Sequence, residues 1–503
     1  MVGTMKRARI LLMTTVLAQS LTAFADDDCH NLYQLTDISW AVEPGFPVAA
    51  DSSNPQHCRL RGVVNRAIRV EVRMPTQGWN GRIMFSAVGG GAGSIGDTTS
   101  LLGRGFAMAS TDTGHEGQTM EFMSQPEATI DYAYRGVHLA TLFTKTVIER
   151  YYGKPIDYSY LSGCSNGGRA ALMEAIRFPK DYDGIIAGAP AFQFAEFWPW
   201  MIGAARQQEK HPLTREALTA LDQNSRRACD SLDGVTDGVI NDPRLCTDER
   251  LKLDKLVCKS GKTKNCLTLG QVDTAQYMYA DQFDINGQLV SPGVLPGAEA
   301  AGDWEFWMLK SSLRGPESLI GGSANNLARL MRHEPGFNIN EFDPNNDRAQ
   351  LSPAMAATDV QTADLTNFYA NGGKLIMYQG WNDYPLRPQR AISYLNKAEA
   401  QNGGAEKTGE FFRLFMVPGM VHCGAGPGAW VTDYVEPLIN WRETGKAPDR
   451  IEAKTGMKRF SLDPSEQAAT TDDEFTRPLC PYPALAQYNG RGDQRQSENF
   501  TCR

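Results

Sequence analysis

The stretch from Tyr158 to Phe178, YSYLSGCSNGGRAALMEAIRF, decides how this chain folds. Tyr158 to Ser162 reads as a strand, and Arg169 to Phe178 as a helix-forming run. Between them sits Gly163-Cys164-Ser165-Asn166-Gly167, a G-x-S-x-G pentapeptide. Placed between a strand and a helix, that motif predicts a nucleophile elbow. A sharp strand-to-helix turn forces strained dihedrals on Ser165, and only residues without a Cβ at Gly163 and Gly167 let the neighbouring backbone pass close by. The serine hydroxyl then projects from the turn, and the N–H groups opening the helix face a developing oxyanion.

Working outward, Arg66 to Arg73 alternates apolar and polar residues (Ala67, Ile68, Val70, Val72), which is strand periodicity. Gly81 to Val88 is a second apolar run, and it ends in Gly89-Gly90-Gly91. Phe106 to Ser110 is a short buried-strand candidate. Ile130 to Tyr152 has the spacing of an amphipathic helix, with Tyr134, Val137, Ala140, Leu142, Phe143, Val147, Ile148 and Tyr151 as its apolar positions. Strands alternating with helices predict an α/β fold built on a parallel sheet. The pattern changes after about Pro190, where aromatic clusters and four of the ten cysteines fill the chain to roughly Met355. Buried-strand signals resume at Lys374 to Tyr378 and Phe411 to Val417. The expectation is an α/β-hydrolase core, residues 26–191 and 361–503, split by a large lid domain at residues 192–360.

A serine hydroxyl is a poor nucleophile until a base takes its proton, so a histidine and an orienting carboxylate must follow, in the order Ser, Asp or Glu, His. Only His211, His333 and His422 follow Ser165. His422 lies in a glycine- and proline-bearing loop, Val417 to Gly424, just after a predicted strand, and is the expected base. Asp383 follows the preceding strand in Gly380-Trp381-Asn382-Asp383 and is the expected acid. Asp112 and His115 precede Ser165 and are assigned a structural role near the glycine loop. Cys164 precedes the nucleophile and Cys423 follows the base, so a bond between them would pin the two loops whose side chains must meet. For the oxyanion, one donor is expected from the N–H of Asn166 and another from the Gly89 to Gly91 loop, with Gly90 favoured but not separated from its neighbours by sequence.

Composition excludes several other classes. The chain has 503 residues, 42% hydrophobic and 21% charged, which rules out a disordered or low-complexity scaffold. A net charge of −8 with no Lys/Arg-rich run argues against nucleic acid as the main partner. Ten cysteines without a Cys-x-x-Cys pair point to disulfides in an oxidising compartment rather than zinc or dithiol redox chemistry. Lys6, Arg7 and Arg9 precede the apolar run Ile10 to Leu17, and Ala23-Phe24-Ala25 supplies a cleavage pattern. Residues 1–25 are thus expected to be a signal peptide, and the product secreted or periplasmic with no membrane span.

At these residues the chain resembles the tannase and feruloyl esterase family, which includes mono(2-hydroxyethyl) terephthalate hydrolase. The matching pieces are Trp79-Asn80-Gly81-Arg82, the run Ala109 to His115, Gly163 to Gly168, Gly380 to Asp383, and Val417-Pro418-Gly419-Met420 with His422-Cys423. The resemblance implies a triad of Ser165, Asp383 and His422. It also implies the pairing Cys29–Cys58, Cys164–Cys423, Cys229–Cys246, Cys258–Cys266 and Cys480–Cys502, where composition alone leaves the connectivity open. Within the lid, Asp230, Asp233 and Asp237 crowd one short stretch and would repel without a hard cation. The resemblance implies structural calcium there, with carbonyls of Val235 and Val239 as further ligands. The expected activity is a secreted serine carboxylesterase acting on small esters of aromatic or phenolic acids. The alternatives are a lipase or peptidase with the same triad, or a binding protein on a hydrolase scaffold.

Overall fold

The computed structural model describes residues 28–259, 264–308, 341–351, 355–459 and 474–503. The signal peptide expected at residues 1–25 lies outside the described residues, as does part of the expected lid.

A ten-stranded sheet organises the chain. Its strands are β1 (Trp40–Val42), β2 (Phe46–Val48), β3 (His57–Val64), β4 (Ile68–Pro75), β5 (Arg82–Ala87), β6 (Ala107–Thr111), β7 (Tyr158–Cys164) and β8 (Gly184–Gly188). A small hairpin, β9 (Gln282–Phe283) and β10 (Leu289–Ser291), lies outside that sheet, which β11 (Lys374–Gly380) and β12 (Phe412–Val417) complete. The spatial order is β1-β3-β4-β6-β5-β7-β8-β11-β12, with β2 also on β3. From β6 to β12 every neighbouring pair is parallel. The β4–β6 pair and the β1, β2 and β3 edge are antiparallel.

Alternate residues of the parallel strands feed two different cores, as a period of two requires. Ile83, Phe85, Leu161, Ile185, Ala187, Leu375 and Met377 enter one core with Val137, Ala140, Phe143 and Val147 of the Gly136–Tyr152 helix. Met84, Tyr160, Ile186 and Ile376 enter the other with Leu438 and Trp441 of the Val435–Thr444 helix. A one-residue slip would exchange the two sets, so burial on both faces fixes the register. The α/β-hydrolase-like arrangement with helices on both sides is as expected, but the sheet is mixed rather than wholly parallel, because β1 to β4 add an antiparallel edge.

Between β8 and β11 the chain builds a third core around Trp198, Trp200, Leu221, Met278 and Trp304. Three helices carry much of it, Phe194–Lys210, Arg215–Cys229 and Leu269–Tyr279. The last opens with a reciprocal capping box between Thr268 and Gln271, satisfying N–H groups that a helix start leaves without partners. Ala92 after β5, Tyr132 of the helical turn Asp131–Arg135 and Tyr384 after β11 belong to this third core. The inserted segment is therefore packed directly onto the loops that carry the candidate site.

Beyond the antiparallel strands β1, β2 and β3, which the sequence pattern does not announce, the elements near the site differ from expectation in three places. The helix starting in the elbow begins at Asn166 rather than Arg169. The helix expected over Ile130–Tyr152 is broken by a wider turn at Asp131–Arg135 and runs as a regular helix only from Gly136. A Cβ on Gly136 would stand 2.7 Å from the Asp131 carbonyl oxygen and 3.1 Å from Thr113 Cα, so that glycine admits the loop after β6. Strand β8 was not anticipated: Ile185 and Ile186 alone carry its apolar signal. Its flanking Gly184 and Gly188 pack against the rings of Tyr160 and Tyr378, where no Cβ fits.

All ten cysteines are paired, as Cys29–Cys58, Cys164–Cys423, Cys229–Cys246, Cys258–Cys266 and Cys480–Cys502. Among the described residues no helix is long and apolar enough to cross a membrane.

Candidate active site

The chain passes from β5 out to β6 and returns to place β7 on the other side of β5. Such a reversal opens a crevice at the carboxyl ends of the strands. Two of the expected site loops leave from it: Val88 to Gly91 after β5, and Ser165 after β7. Asp383 and His422 follow β11 and β12.

Ser165 has φ 63° and ψ −124°, a conformation that costs a non-glycine residue on the order of 1–3 kcal/mol. Tight packing enforces it. A Cβ on Gly163 would meet the Gly167 carbonyl oxygen at 2.5 Å, and one on Gly167 would collide with the Ala87 carbonyl. Ser165 N–H donates to the Gly188 carbonyl, and its own carbonyl accepts from Arg169 N–H, so both backbone groups of the strained residue are anchored.

His422 Nδ1 and Asp383 Oδ2 are 2.9 Å apart, and Asp383 is fully buried. Asp383 also accepts from Gln379 Nε2 and from Leu386 N–H, which fixes the plane of its carboxylate. With Nδ1 held as the donor, Nε2 is the nitrogen free to accept a proton. That nitrogen lies 3.7 Å from Sγ of Cys423, whose disulfide runs to Cys164 beside Ser165. Burial disfavours a charged His422, but the charge and hydrogen bond of Asp383 and the charge of Asp303 outweigh it, so its pKa stands above the ordinary histidine value. The indole of Trp307 packs edge-on to the imidazole, with ring centres 6.0 Å apart.

Asp303 was not identified from sequence. It opens the short Asp303–Met308 helix of the inserted segment and is buried. Its Oδ2 accepts from the N–H of Tyr384 at 2.9 Å and from the N–H of His422 at 3.2 Å. An aspartate among aromatic residues, with no spacing relation to the motifs, gives no signal that sequence reasoning can weigh.

The glycine loop is held from behind. Tyr132 Oη donates to the Gly90 carbonyl, and His115 Nε2 bonds the Gly91 carbonyl at 2.5 Å while its ring stacks on Phe122. Asp112 accepts from the N–H groups of Arg69 and Gly114. The pair expected to be structural thus has structural contacts. Gly91 N–H donates to Gln118 Oε1 and is therefore already occupied. Gly89 packs with a Cβ position 3.5 Å from Ser165 Cβ, and Gly90 has φ 59°, the left-handed region. Asn166 is the first residue of its helix, where backbone N–H groups lack intrahelical acceptors; its side chain is used to bridge Val88 and Arg169.

The carboxylates of Asp233 and Asp237 line a separate cavity with Pro418 of the base loop, where the inserted segment meets Arg477 of the Thr476–Leu479 strand, and Asp230 lies in the same turn. The donors are all oxygen, which suits a hard cation such as calcium. Burial, then the charges of Asp237 and Asp230, push Asp233 up to about 6, a sign of negative charge still to be balanced. Val235 and Val239 are buried in the same turn, and their N–H groups are tied to Asp233 and Asp237. Arg477 pairs with Asp237 and takes part of the charge. The donor chemistry suits a hard cation, while the three carboxylates are not gathered within 4.8 Å of one another and one oxygen of Asp237 is already taken by Arg477. Among the described residues, the group whose ligand atoms all come within 4.8 Å of one another is a different one, His138, Glu174 and Asp181. There, however, His138 Nδ1 already bonds Asp181 Oδ2 at 2.7 Å, and the Lys145 ammonium bonds the Asp181 carbonyl.

Residues 56–503 match the family model described as tannase and feruloyl esterase. Mono(2-hydroxyethyl) terephthalate hydrolase of Piscinibacter sakaiensis is 30% identical, over 90% of this chain and 86% of that one. A probable feruloyl esterase of Arthroderma benhamiae is 31% identical over 87% and 83%. Among solved structures, feruloyl esterase B from Aspergillus oryzae superposes with a TM-score of 0.81 at 25% identity, covering 95% of this chain and all of that one.

Proposed function

The chain belongs to the tannase and feruloyl esterase family and is a carboxylic ester hydrolase, and on that premise we propose that it is a secreted serine esterase of small aromatic and phenolic acid esters. The observation that carries the chemistry is the His422–Asp383 hydrogen bond, on a loop tied by Cys164–Cys423 to the strained Ser165. Ser165 Oγ attacks the ester carbonyl while His422 Nε2 takes its proton. The alkoxide of the tetrahedral intermediate rests on the N–H groups of Asn166 and Gly90. Collapse expels the alcohol, which receives the proton from His422, and leaves an acyl group on Ser165. Water, deprotonated by His422, then attacks that acyl carbon and releases the acid. Asp383 holds the imidazole in the Nδ1–H tautomer throughout and stabilises the imidazolium.

The inserted segment, at residues 192–360, acts as a lid over this crevice. Its aromatic residues, Trp307 beside His422 among them, suit a planar acyl ring. Calcium, held by Asp230, Asp233, Asp237 and the carbonyls of Val235 and Val239, would supply a fixed charge that fastens the lid to the C-terminal strands and takes no part in the reaction. Five disulfides and the leader-like residues 1–25 favour export to the periplasm or medium. The test is kcat/KM for a methyl ferulate, a methyl gallate and mono(2-hydroxyethyl) terephthalate, side by side, with Ser165→Ala as control. Turnover of at least one that is lost in Ser165→Ala supports the reading; no Ser165-dependent turnover of any aryl or phenolic ester overturns it.

A further inference from the structure

We propose that Asp303, a residue of the inserted segment, is a positioning residue that clamps the acid loop to the base loop through one carboxylate oxygen, so that the triad is complete only when the insertion is docked. The inference rests on the triad reading above and adds a fourth residue to it, supplied by a part of the chain that carries none of the three.

The geometry is specific. Oδ2 of Asp303 accepts two backbone N–H groups, that of Tyr384, next to Asp383, and that of His422 itself. The Asp383–His422 hydrogen bond spans two loops that follow different strands. Asp303 ties the same two loops at their backbones, one residue along in the acid loop and at the same residue in the base loop. A carboxylate accepting two N–H bonds in a buried place is charge-assisted and shorter on freedom than either loop alone. Its own position is held by packing: Trp304 is buried with its ring 5.2 Å from Tyr384 and 5.6 Å from Tyr279. Trp200, also of the insertion, packs on the other contact of Tyr384 at 5.4 Å.

Charge follows from the same placement. Among the described residues, the ionisable groups around Asp303 are Asp383, Tyr384 and Arg387 of the acid loop and His422 of the base loop. Two carboxylates therefore face one imidazole, and Arg387, buried with its guanidinium over the Trp200 ring, is the cation nearby. Burial and the Asp383 charge push the Asp303 carboxyl up to about 7, while the two N–H bonds and His422 oppose that rise. In its ionised form Asp303 adds to Asp383 in stabilising the imidazolium formed as Ser165 attacks. It touches neither substrate nor the reacting atoms.

Asp303→Asn keeps a carbonyl oxygen for the two N–H groups and removes the charge; Asp303→Ala removes both. With a competent aryl ester, Asp303→Ala is expected to lower kcat by about tenfold or more with KM changed less than threefold, the cost of a small misplacement of the base. Asp303→Asn is expected to recover most of that loss and to move the acid limb of kcat/KM to lower pH by about half a unit or more, because a charge favouring His422-H⁺ is gone. The His422 ring titration is followed in parallel by NMR with labelled histidine in the Ser165→Ala background, which does not depend on turnover. Equal, wild-type kinetics and unchanged His422 titration in both Asp303 variants would overturn the proposal. So would equal losses in both, tracking a lowered melting temperature with no shift in titration, since a merely structural residue behaves that way. If the parent shows no Ser165-dependent turnover while the His422 titration still moves in Asp303→Asn, the clamp stands and the catalytic reading fails.

Discussion

Replacing Cys164 and Cys423 together by serine cuts the bridge that joins the elbow to the base loop, and the two readouts it affects separate cleanly. The bridge closes a loop with a sequence separation of 259. Chain-entropy arithmetic for such a loop gives about 5–6 kcal/mol of stabilisation, an upper figure if the unfolded chain keeps structure. The unfolding entropy of a chain of about 480 residues is about 1 kcal/mol per degree, so the expected fall in melting temperature is about 5 °C. Cys258–Cys266, with a separation of only 8, is the internal comparison: the same arithmetic gives about 2–3 kcal/mol, and it joins neither the elbow nor the base loop. Calorimetry on both double variants, with kcat measured well below either transition, is the assay. The long-loop variant should lose more stability than the short-loop one and should also lose kcat, because Ser165 and His422 are no longer tethered; the short-loop variant should keep kcat. A long-loop variant that melts within a degree of the parent and turns over at the parent's rate would refute the reasoning.

Three further outcomes follow from other parts of the molecule. Glu71, buried in the sheet, accepts from Arg59, Arg61 and Arg73, and although burial alone would raise its pKa these partners hold it at about 2. A depressed carboxyl contributes stability that is full above its unfolded value and is lost as pH falls toward 2, about 3 kcal/mol in all, so urea titrations should show the penalty of Glu71→Gln large at pH 7 and much reduced at pH 3. Chelation should lower the melting temperature, restored by Ca²⁺ and not by Mg²⁺, and Asp233→Asn should abolish the response; since Asp233 stands at about 6, the response should also fade below that pH. Gly163→Ala drives a Cβ to 2.5 Å from the Gly167 carbonyl and should cost about 3 kcal/mol or more in a denaturation experiment, with loss of turnover, whereas Gly153→Ala, whose Cβ meets nothing within 4 Å though its φ is 63°, should cost less and leave turnover intact.

Local sequence was most informative where chemistry and backbone strain coincide. The glycines around Ser165 have no other reason to be there than the close approach of Gly167 and Ala87, so the elbow was readable from five letters and its flanks. Asp383 and His422 were legible because each follows a buried strand in the order the mechanism needs. Strand β8 was not, because two isoleucines between glycines look like a loop until Tyr160 and Tyr378 are seen to occupy the missing side chains' places. The break at Asp131–Arg135 escaped for a similar reason: the helical stripe continues through it, and only the nearness of Thr113 shows why Gly136 is needed. Asp303 was invisible since its partners are backbone N–H groups 81 and 119 residues away, and no side-chain pattern records such bonds. Choosing among the three loop glycines needed Gln118, whose bond to Gly91 removes one candidate.

The central claim is that Ser165 carries the acyl group, and the direct measurement is peptide mapping by mass spectrometry of enzyme quenched during turnover of an aryl ester. The account predicts an acyl adduct on the peptide containing Ser165, formed in a burst before the steady state and absent in Ser165→Ala. An adduct on another residue, or undiminished turnover by Ser165→Ala, would contradict it.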